Sequence, residues 1–106
     1  MKLQTLIEAG QSIGKEWQLP AFSPENELDT QVEALKERLT GRLIDYLSHD
    51  MEFVINTLYR LDIRERDFHA AMQGRSLREI AASLAEIIIR RELEKAAWRE
   101  KYRNRQ

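Results

Sequence analysis

The sequence contains no cysteine, four glycines and two prolines among its 106 residues. Without cysteine, the fold can use neither disulfide bonds nor thiolate metal sites. Because helix breakers are few and β-branched residues do not alternate with polar ones, a β-sheet has little to build from. Long apolar runs are missing too, since no strongly apolar run is longer than Ile87–Ile89, far short of the roughly twenty residues that a membrane span needs. These absences predict an all-α fold that does not cross a membrane.

The composition suits one domain of amphipathic helices. A chain of 106 residues has the length of a single domain, and its charged fraction of 33% is high enough to cover a wide solvated face on each helix. Charge is unevenly spread, because residues 1–53 hold five Lys/Arg and ten Asp/Glu whereas residues 54–106 hold twelve and eight. Gln4 and Glu8 interrupt the apolar residues near the N-terminus, so we expect no secretory signal and a cytoplasmic location.

Helix boundaries follow from capping residues and from apolar residues at every third or fourth position. Ser23-Pro24-Glu25 is typical of a helix start, and Asp50 can cap the next helix. Gly74, which we expect in the left-handed conformation, and the capping box Ser76–Glu79 mark the clearest break. The predicted fold is one small helical bundle spanning residues 1–106: a short helix over 1–14, a loop over 15–23, a long helix over 24–48, one bent or two short helices over 50–73, and a long C-terminal helix over 77–103.

No group of residues points to catalysis. A nucleophile needs a nearby base, and the two histidines, His49 and His69, lie in no motif that supplies a nucleophile; a glycine-rich phosphate loop is also missing. Asp45 and Glu65 each precede a histidine by four residues, which places each pair on one helix face, but metal sites in carboxylate-bridged bundles use Glu-x-x-His. We therefore predict no catalytic residue, no metal and no cofactor, with a carboxylate–histidine metal site as a remote alternative.

The basic C-terminal segment is the main candidate for contact with an anionic partner. Residues 90–106 hold seven Lys/Arg and three Glu, so this helix could lie on a phosphate backbone or on an acidic protein. The alternative is a solvated helix end whose cations complement the helix dipole and whose aromatic rings pack on the first helix or the 15–23 loop. The residues predicted to make the anionic contact are Arg90, Arg91, Lys95, Trp98, Arg99, Lys101, Tyr102 and Arg103.

Nucleic acid is the less favoured partner for two reasons. Ser76–Leu84 resembles the first helix of a helix-turn-helix, but the turn that should follow is missing because Ala85–Ile89 continue as helix-forming residues. The overall pI near 6.1 is also far from the strongly basic character of most nucleic-acid-binding domains.

The three consecutive isoleucines Ile87–Ile89 predict a second packing surface. They span about 200° of a helix, so a single neighbouring helix cannot cover all of them. The second surface is either a short helix of the same chain or a twofold-related copy, and symmetric dimers are the commonest oligomers. We predict a homodimeric or partner-binding helical module without catalytic activity, in which the acidic helix around 25–52 and the basic helix around 86–105 have complementary charge. Its predicted interface consists of Leu84, Ile87, Ile88 and Ile89.

Overall fold

A computed structural model describes residues 2–20 and 28–103, which form five α-helices. They are α1 (Leu3–Trp17), α2 (Leu28–His49), α3 (Met51–Arg60), α4 (Glu65–Ala71) and α5 (Leu77–Arg103). The described part of the chain contains no strand, so the all-α prediction is confirmed, and α5 is the expected long C-terminal helix. Within residues 2–20 and 28–103, none of the helices is both long enough and apolar enough to span a membrane.

Helix α1 continues further than predicted because Trp17 belongs to the core. The Trp17 side chain is fully buried, and its ring centroid lies 5.8 Å from that of Phe53 and 6.1 Å from that of Tyr46. The helix ends where Gln18 adopts a left-handed conformation with φ of 57°, and the Arg42 guanidinium donates to the carbonyls of Trp17 and Gln18. The prediction that a loop begins at residue 15 was therefore wrong, because contacts with later helices extend the first one.

Helices α2 and α3 meet at a capping aspartate. Helix α2 ends at His49, and the carboxylate of Asp50 then accepts a hydrogen bond from the backbone N–H of Phe53 at 3.1 Å. This is the N-cap that the sequence predicted for the second of these helices. The predicted cap at Ser23-Pro24-Glu25, together with residues 21–23 of the predicted loop, lies outside the described residues.

A tight turn separates α3 from α4. Asp62 has a φ of 62°, in the left-handed region, and the backbone N–H of Ile63 donates to the carbonyl of Leu58 at 3.1 Å. Arg64 then precedes α4, and its side chain makes no capping hydrogen bond. Asp62-Ile63-Arg64-Glu65 has the residue spacing of a capping box, but it forms this turn instead, and the turn sets the direction in which α4 leaves α3.

The break before α5 lies where the sequence placed it, but Gly74 has a different role from the one expected. Ser76 caps α5, because its Oγ accepts a hydrogen bond from the N–H of Glu79 at 3.1 Å, and the Glu79 carboxylate accepts from the N–H of Arg75 at 3.3 Å. No glycine among the described residues has a positive φ, so the expected left-handed conformation was wrong. The constraint at Gly74 is space, since an added Cβ would lie 2.9 Å from Ile80 Cγ1.

Helix α5 forms the centre of the fold. Its 27 residues give a length of about 40 Å, close to the longest dimension of the molecule, 43 Å. It packs mainly against α1 and α2, with α4 on another side. Glu92 is a buried charged residue on this helix, 3.7 Å from the ammonium of Lys95. The core that these helices enclose consists of Ile13, Trp17, Leu35, Leu39, Leu43, Val54, Leu58, Leu61, Ala71, Ala81, Leu84, Ala85, Ile88 and Ile89.

Candidate binding surface on helices α3 to α5

An apolar groove lies between α3 and α4. It has a volume of about 320 Å³, at the lower end of the range for ligand-binding pockets. Two of its residues are unusually accessible, because Tyr59 is 88% exposed and Ile55 is 47% exposed. We call this depression the apolar groove; its lining consists of Ile55, Leu58, Tyr59, Ile63, Glu65, Phe68 and His69.

The groove exists because α3 has more apolar surface than its neighbours cover. Val54 and Leu58 are buried against the core, whereas Ile55 and Tyr59 each lie one position further along and therefore form an adjacent stripe on the helix. Helix α4, which has seven residues, is too short to cover that stripe. Phe68 is the large apolar residue that α4 contributes, and it forms the facing wall of the groove.

A second depression, rich in arginine, lies between the α3–α4 turn and α5. Its volume is about 350 Å³, and its arginines come from three parts of the fold: the turn, α4 and α5. Ile63 and Ile87 supply the apolar part of its surface. We call this depression the arginine cleft; its lining consists of Asp62, Ile63, Arg64, Arg66, Asp67, Ile87, Arg90, Arg91 and Glu94.

Among the described residues, three of the four arginines in the cleft have no hydrogen-bonded carboxylate. Arg91 is paired with two carboxylates, because its Nη2 donates to Asp62 at 3.2 Å and its Nη1 to Glu94 at 3.4 Å, although its buried Nε has no hydrogen-bond partner among the described residues. By contrast, Arg66 lies 3.9 Å from Asp67 and Arg90 lies 3.9 Å from Glu86, which is too long for a hydrogen bond.

The third of these arginines is Arg64, and no carboxylate among the described residues lies within ion-pair distance of it. The cleft therefore offers three sets of free donors around a single space.

The groove and the cleft form one continuous surface, because Ile63 lines both. We call the two together the groove–cleft surface. Aromatic and aliphatic side chains occupy one end of it and guanidinium groups the other. Such a combination can hold an amphipathic segment that has apolar residues on one part and anionic residues on the next.

The predicted isoleucine interface lies mostly in the core of the chain itself. Leu84 and Ile88 are fully buried and Ile89 is nearly so. Ile87 is partly buried and lines the arginine cleft. Leu84, Ile88 and Ile89 are thus used within the chain, whereas Ile87 lies where α4 packs on α5 and keeps part of its surface exposed.

The predicted basic contact residues divide into those that pair within the chain and those that face solvent. The guanidinium of Arg103 donates to Glu8 at 2.6 Å, and Arg99 lies 3.9 Å from the same carboxylate. The ammonium of Lys95 donates to the carbonyl of Leu61 at 2.7 Å. Lys101 is exposed, and no described carboxylate lies within ion-pair distance of it. Much of the basic character of this segment is therefore used to hold α5 against α1 and α3.

Two carboxyl groups that join α1 to the end of α5 have lowered pKa values. The hydrogen bond from Arg103 lowers the pKa of Glu8 below its usual value. The hydroxyl of Thr5 donates to Glu100 at 2.7 Å and lowers the pKa of Glu100 in the same way. Each of these carboxylates is therefore favoured in its ionised form by a partner on the other helix.

Trp98 and Tyr102 form a largely exposed pair near the end of α5, so the packing that one alternative from the sequence expected does not bury them. They are 59% and 58% exposed, and their rings stack on each other with centroids 5.0 Å apart. They lie seven and eleven residues after Arg91, which places them on the side of α5 that faces the cleft. The aromatic pair therefore extends the exposed surface beyond the arginine cleft.

Neither histidine lies in a cluster suited to a metal ion. The Nδ1 of His49 is 3.0 Å from the backbone carbonyl of Asp45, not from its carboxylate. The Nε2 of His69 lies 3.5 Å from Glu65 at the rim of the apolar groove. Within residues 2–20 and 28–103, no group of three or more potential ligands comes together. Helix α5 also runs without a turn from Leu77 to Arg103, so a helix-turn-helix is not formed there.

Sequence reasoning found Arg90 and Arg91 of this surface but missed the other parts of it. Arg64 and Arg66 lie more than twenty positions before them in the sequence, and only the packing of α4 on α5 brings the four together. The sequence did contain a signal for the groove. Val54 and Leu58 already supply the stripe of α3 that packs on the core, and Ile55 and Tyr59 form a second pair at helical spacing beside it.

Comparison with known proteins yields no relative. The sequence matches no protein family, and neither the curated proteins nor the solved structures contain a significant match. The chemistry of the groove–cleft surface is therefore the basis on which a function is inferred.

Proposed function

We propose that the protein is a non-catalytic interaction module that binds a segment of a partner protein on the groove–cleft surface. The observation that favours this function is the position of the exposed Ile55 and Tyr59 beside arginines with free donors. Apolar side chains of the partner enter the apolar groove, and anionic side chains next to them contact the arginine cleft.

The residue types of the surface support this proposal. Tyrosine and arginine are enriched among the residues that supply most of the binding energy at protein interfaces. Tyr59 has an exposed ring that loses little conformational entropy when it is covered, since it has only two side-chain torsions. The free guanidinium groups of the cleft provide hydrogen bonds that fix the orientation of the partner.

The charge of the surface selects the chemistry of the partner. Arg64, Arg66 and Arg90 face a cleft in which Asp67 is the one carboxylate not engaged by Arg91. A segment with acidic residues gains hydrogen bonds there, whereas a basic segment meets like charge. We therefore assign the surface to an amphipathic partner segment whose polar residues are acidic.

Homodimerisation stays a prediction, as does the cytoplasmic location. The burial of Ile88 and Ile89 within the chain removes the reason for which a second copy was expected at the isoleucine cluster. A second copy seated on the groove–cleft surface is instead an outcome that the following experiment detects.

The proposal is tested with labelled amphipathic helical peptides that carry Leu and Phe at every third and fourth position and differ only in their polar residues. Fluorescence anisotropy should show that the acidic peptide binds more tightly than the basic one. Tyr59→Ser, a change at an exposed side chain, should weaken binding of the acidic peptide by about tenfold or more. Raising the salt concentration should weaken binding of the acidic peptide more than binding of the basic peptide.

A matched control is Leu77→Ser, because Leu77 is 42% exposed at the start of α5 and lies in neither the groove nor the cleft. This variant should bind as the wild type does. Equal affinity for acidic and basic peptides, or equal loss in both variants, would contradict the proposal. Light scattering on the free protein completes the test: a stable dimer that Tyr59→Ser dissociates would assign the surface to a second copy instead.

A further inference from the structure

We propose that the arginine cleft is a binding site for a phosphoryl group on a side chain of the partner protein. This inference rests on the proposed function and makes it more specific, because it names the anion that the cleft recognises. The observation behind it is that arginines from three separate elements line one space of about 350 Å³, and three of them have no hydrogen-bonded carboxylate within the described part of the chain.

The geometry of the donors favours a tetrahedral anion over a planar one. A carboxylate presents two oxygens in one plane, and a single guanidinium can engage both of them. Arg64 comes from the α3–α4 turn, Arg66 from α4 and Arg90 from α5, and all three border the same cleft. A phosphoryl group has three strong acceptor oxygens that point in different directions, and it can therefore accept from all three arginines.

The charges that face the cleft also favour this ligand. Asp62 and Glu94 are engaged by Arg91, at 3.2 Å and 3.4 Å, so these two carboxylates hold Arg91 in place. Asp67 is the remaining carboxylate of the lining, and the other three arginines of the lining outnumber it.

Glu86 lies outside the lining and is shared, since it is 3.8 Å from Lys36 and 3.9 Å from Arg90. The lining as a whole holds four arginines and three carboxylates, so it keeps an excess of positive charge, with which a group of charge about −1.5 to −2 interacts more strongly than a carboxylate does.

The apolar part of the cleft suits a phosphorylated side chain that belongs to a protein. Ile63 and Ile87 lie beside the arginines, and Ile63 continues into the apolar groove. A peptide that places its apolar residues in the groove thus has the cleft within reach of the neighbouring side chains. Free phosphate has no carbon atoms that could use this apolar contact, so we expect it to bind weakly.

The experiment compares three forms of the acidic peptide, with serine, glutamate or phosphoserine at each polar position in turn. Fluorescence anisotropy at constant ionic strength should find one position at which phosphoserine binds about tenfold more tightly than glutamate. The double variant Arg64→Gln/Arg90→Gln should remove that difference. The control is Arg38→Gln/Arg75→Gln, which removes the same charge from exposed positions outside the cleft. This variant should leave the difference between the phosphoserine and glutamate peptides unchanged.

Inorganic phosphate and vesicles that contain phosphatidic acid serve as competing sources of the phosphoryl group. Phosphate should displace the phosphopeptide only at high concentration. If the vesicles bind in an Arg64- and Arg90-dependent manner and the phosphopeptide does not, the inference is wrong and the cleft recognises a lipid.

The two proposals fail in different ways. If the glutamate and phosphoserine peptides bind with equal affinity and Tyr59→Ser still weakens binding, the phosphoryl site is wrong. The proposal of an interaction module then still stands. If binding of the phosphopeptide requires Arg64 and Arg90 but not Tyr59, the phosphoryl site is supported. The apolar groove then has no part in the proposed function.

Discussion

Gly74→Ala tests why the chain breaks before α5. In the structure, a Cβ at this position would lie 2.9 Å from Ile80 Cγ1, 3.0 Å from the Ile80 backbone nitrogen and 3.3 Å from Glu79 Cβ. The Ile80 N–H donates to the carbonyl of Ser76 at 3.0 Å, so this hydrogen bond in the first turn of α5 must shift to make room. The expected cost is therefore that of overpacking beside backbone, about 1–3 kcal/mol.

A gain through the unfolded state offsets part of that cost. Replacing glycine with alanine restricts the unfolded chain and stabilises a protein by about 0.4–1 kcal/mol where the new side chain fits. The net expectation for Gly74→Ala is a loss of about 1–2 kcal/mol in the free energy of unfolding. For a domain of this size, that loss lowers the thermal midpoint by roughly 4 °C or more per kcal/mol.

Gly41→Ala is the matched control for this prediction. Gly41 lies inside α2, is exposed, and has nothing within 4 Å of the added Cβ. Alanine is favoured over glycine in a helix interior by about 1 kcal/mol, so Gly41→Ala should stabilise the protein. The two substitutions have the same chemistry and opposite expected signs, and urea unfolding followed by circular dichroism measures both.

A double-mutant cycle identifies the cause of the effect at Gly74. In an Ile80→Ala background, the Cγ1 atom that crowds the new Cβ is gone, so the cost of Gly74→Ala should fall. An unchanged cost would show that the Ile80 backbone nitrogen and Glu79 Cβ, which remain in this background, set it. A Gly74→Ala variant as stable as the wild type would refute the steric argument.

Three further substitutions follow from single contacts. Asp50→Ala should lower the free energy of unfolding by about 1 kcal/mol in urea, because it removes the N-cap of α3. The lowered pKa of Glu8 means that its stabilising contact with α5 is present above its ordinary pKa of 4.5 and is lost as the pH falls through the folded-state value. Acid titration of Glu8→Gln should therefore show a weaker loss of stability in that range, and an unchanged curve would contradict it. Lys95→Met should cost about 2 kcal/mol in thermal unfolding, because the Leu61 carbonyl loses its donor and buried Glu92 loses its neighbouring cation.

Local sequence patterns were sufficient to predict the helical fold and the start of α5. The cap at Ser76 and the apolar stripe after it depend only on residues within one or two turns, so they can be recognised without tertiary information. The end of α1 could not be predicted in this way. Trp17 is helical because its ring packs on Tyr46 and Phe53, and no pattern within residues 15–23 contains that contact.

The candidate surface was harder to predict because it depends on the turn between α3 and α4. Asp62 is the residue that directs α4, and its left-handed conformation is not evident from a pattern that also resembles a capping box. The isoleucine cluster was interpreted correctly as needing two surfaces, but the choice between a short helix of the chain and a second copy depends on where α4 lies. Ile87 is partly covered where α4 packs on α5, whereas Ile55 and Tyr59 of α3 stay exposed.

The two exposed ends of the surface have the same physical origin, which is a mismatch between helix lengths. The α3–α4 turn reaches α5 at Arg91 and Lys95, through the Asp62 carboxylate and the Leu61 carbonyl. Beyond Lys95 the same side of α5 continues for two more turns, on which Trp98 and Tyr102 are more than half exposed.

On the other side, the seven residues of α4 are too few to cover the second apolar stripe of α3, so Ile55 and Tyr59 remain exposed. A partner segment that lies across the arginine cleft therefore meets aromatic residues at both ends, and the unequal lengths of α3, α4 and α5 determine how far apart those contacts lie.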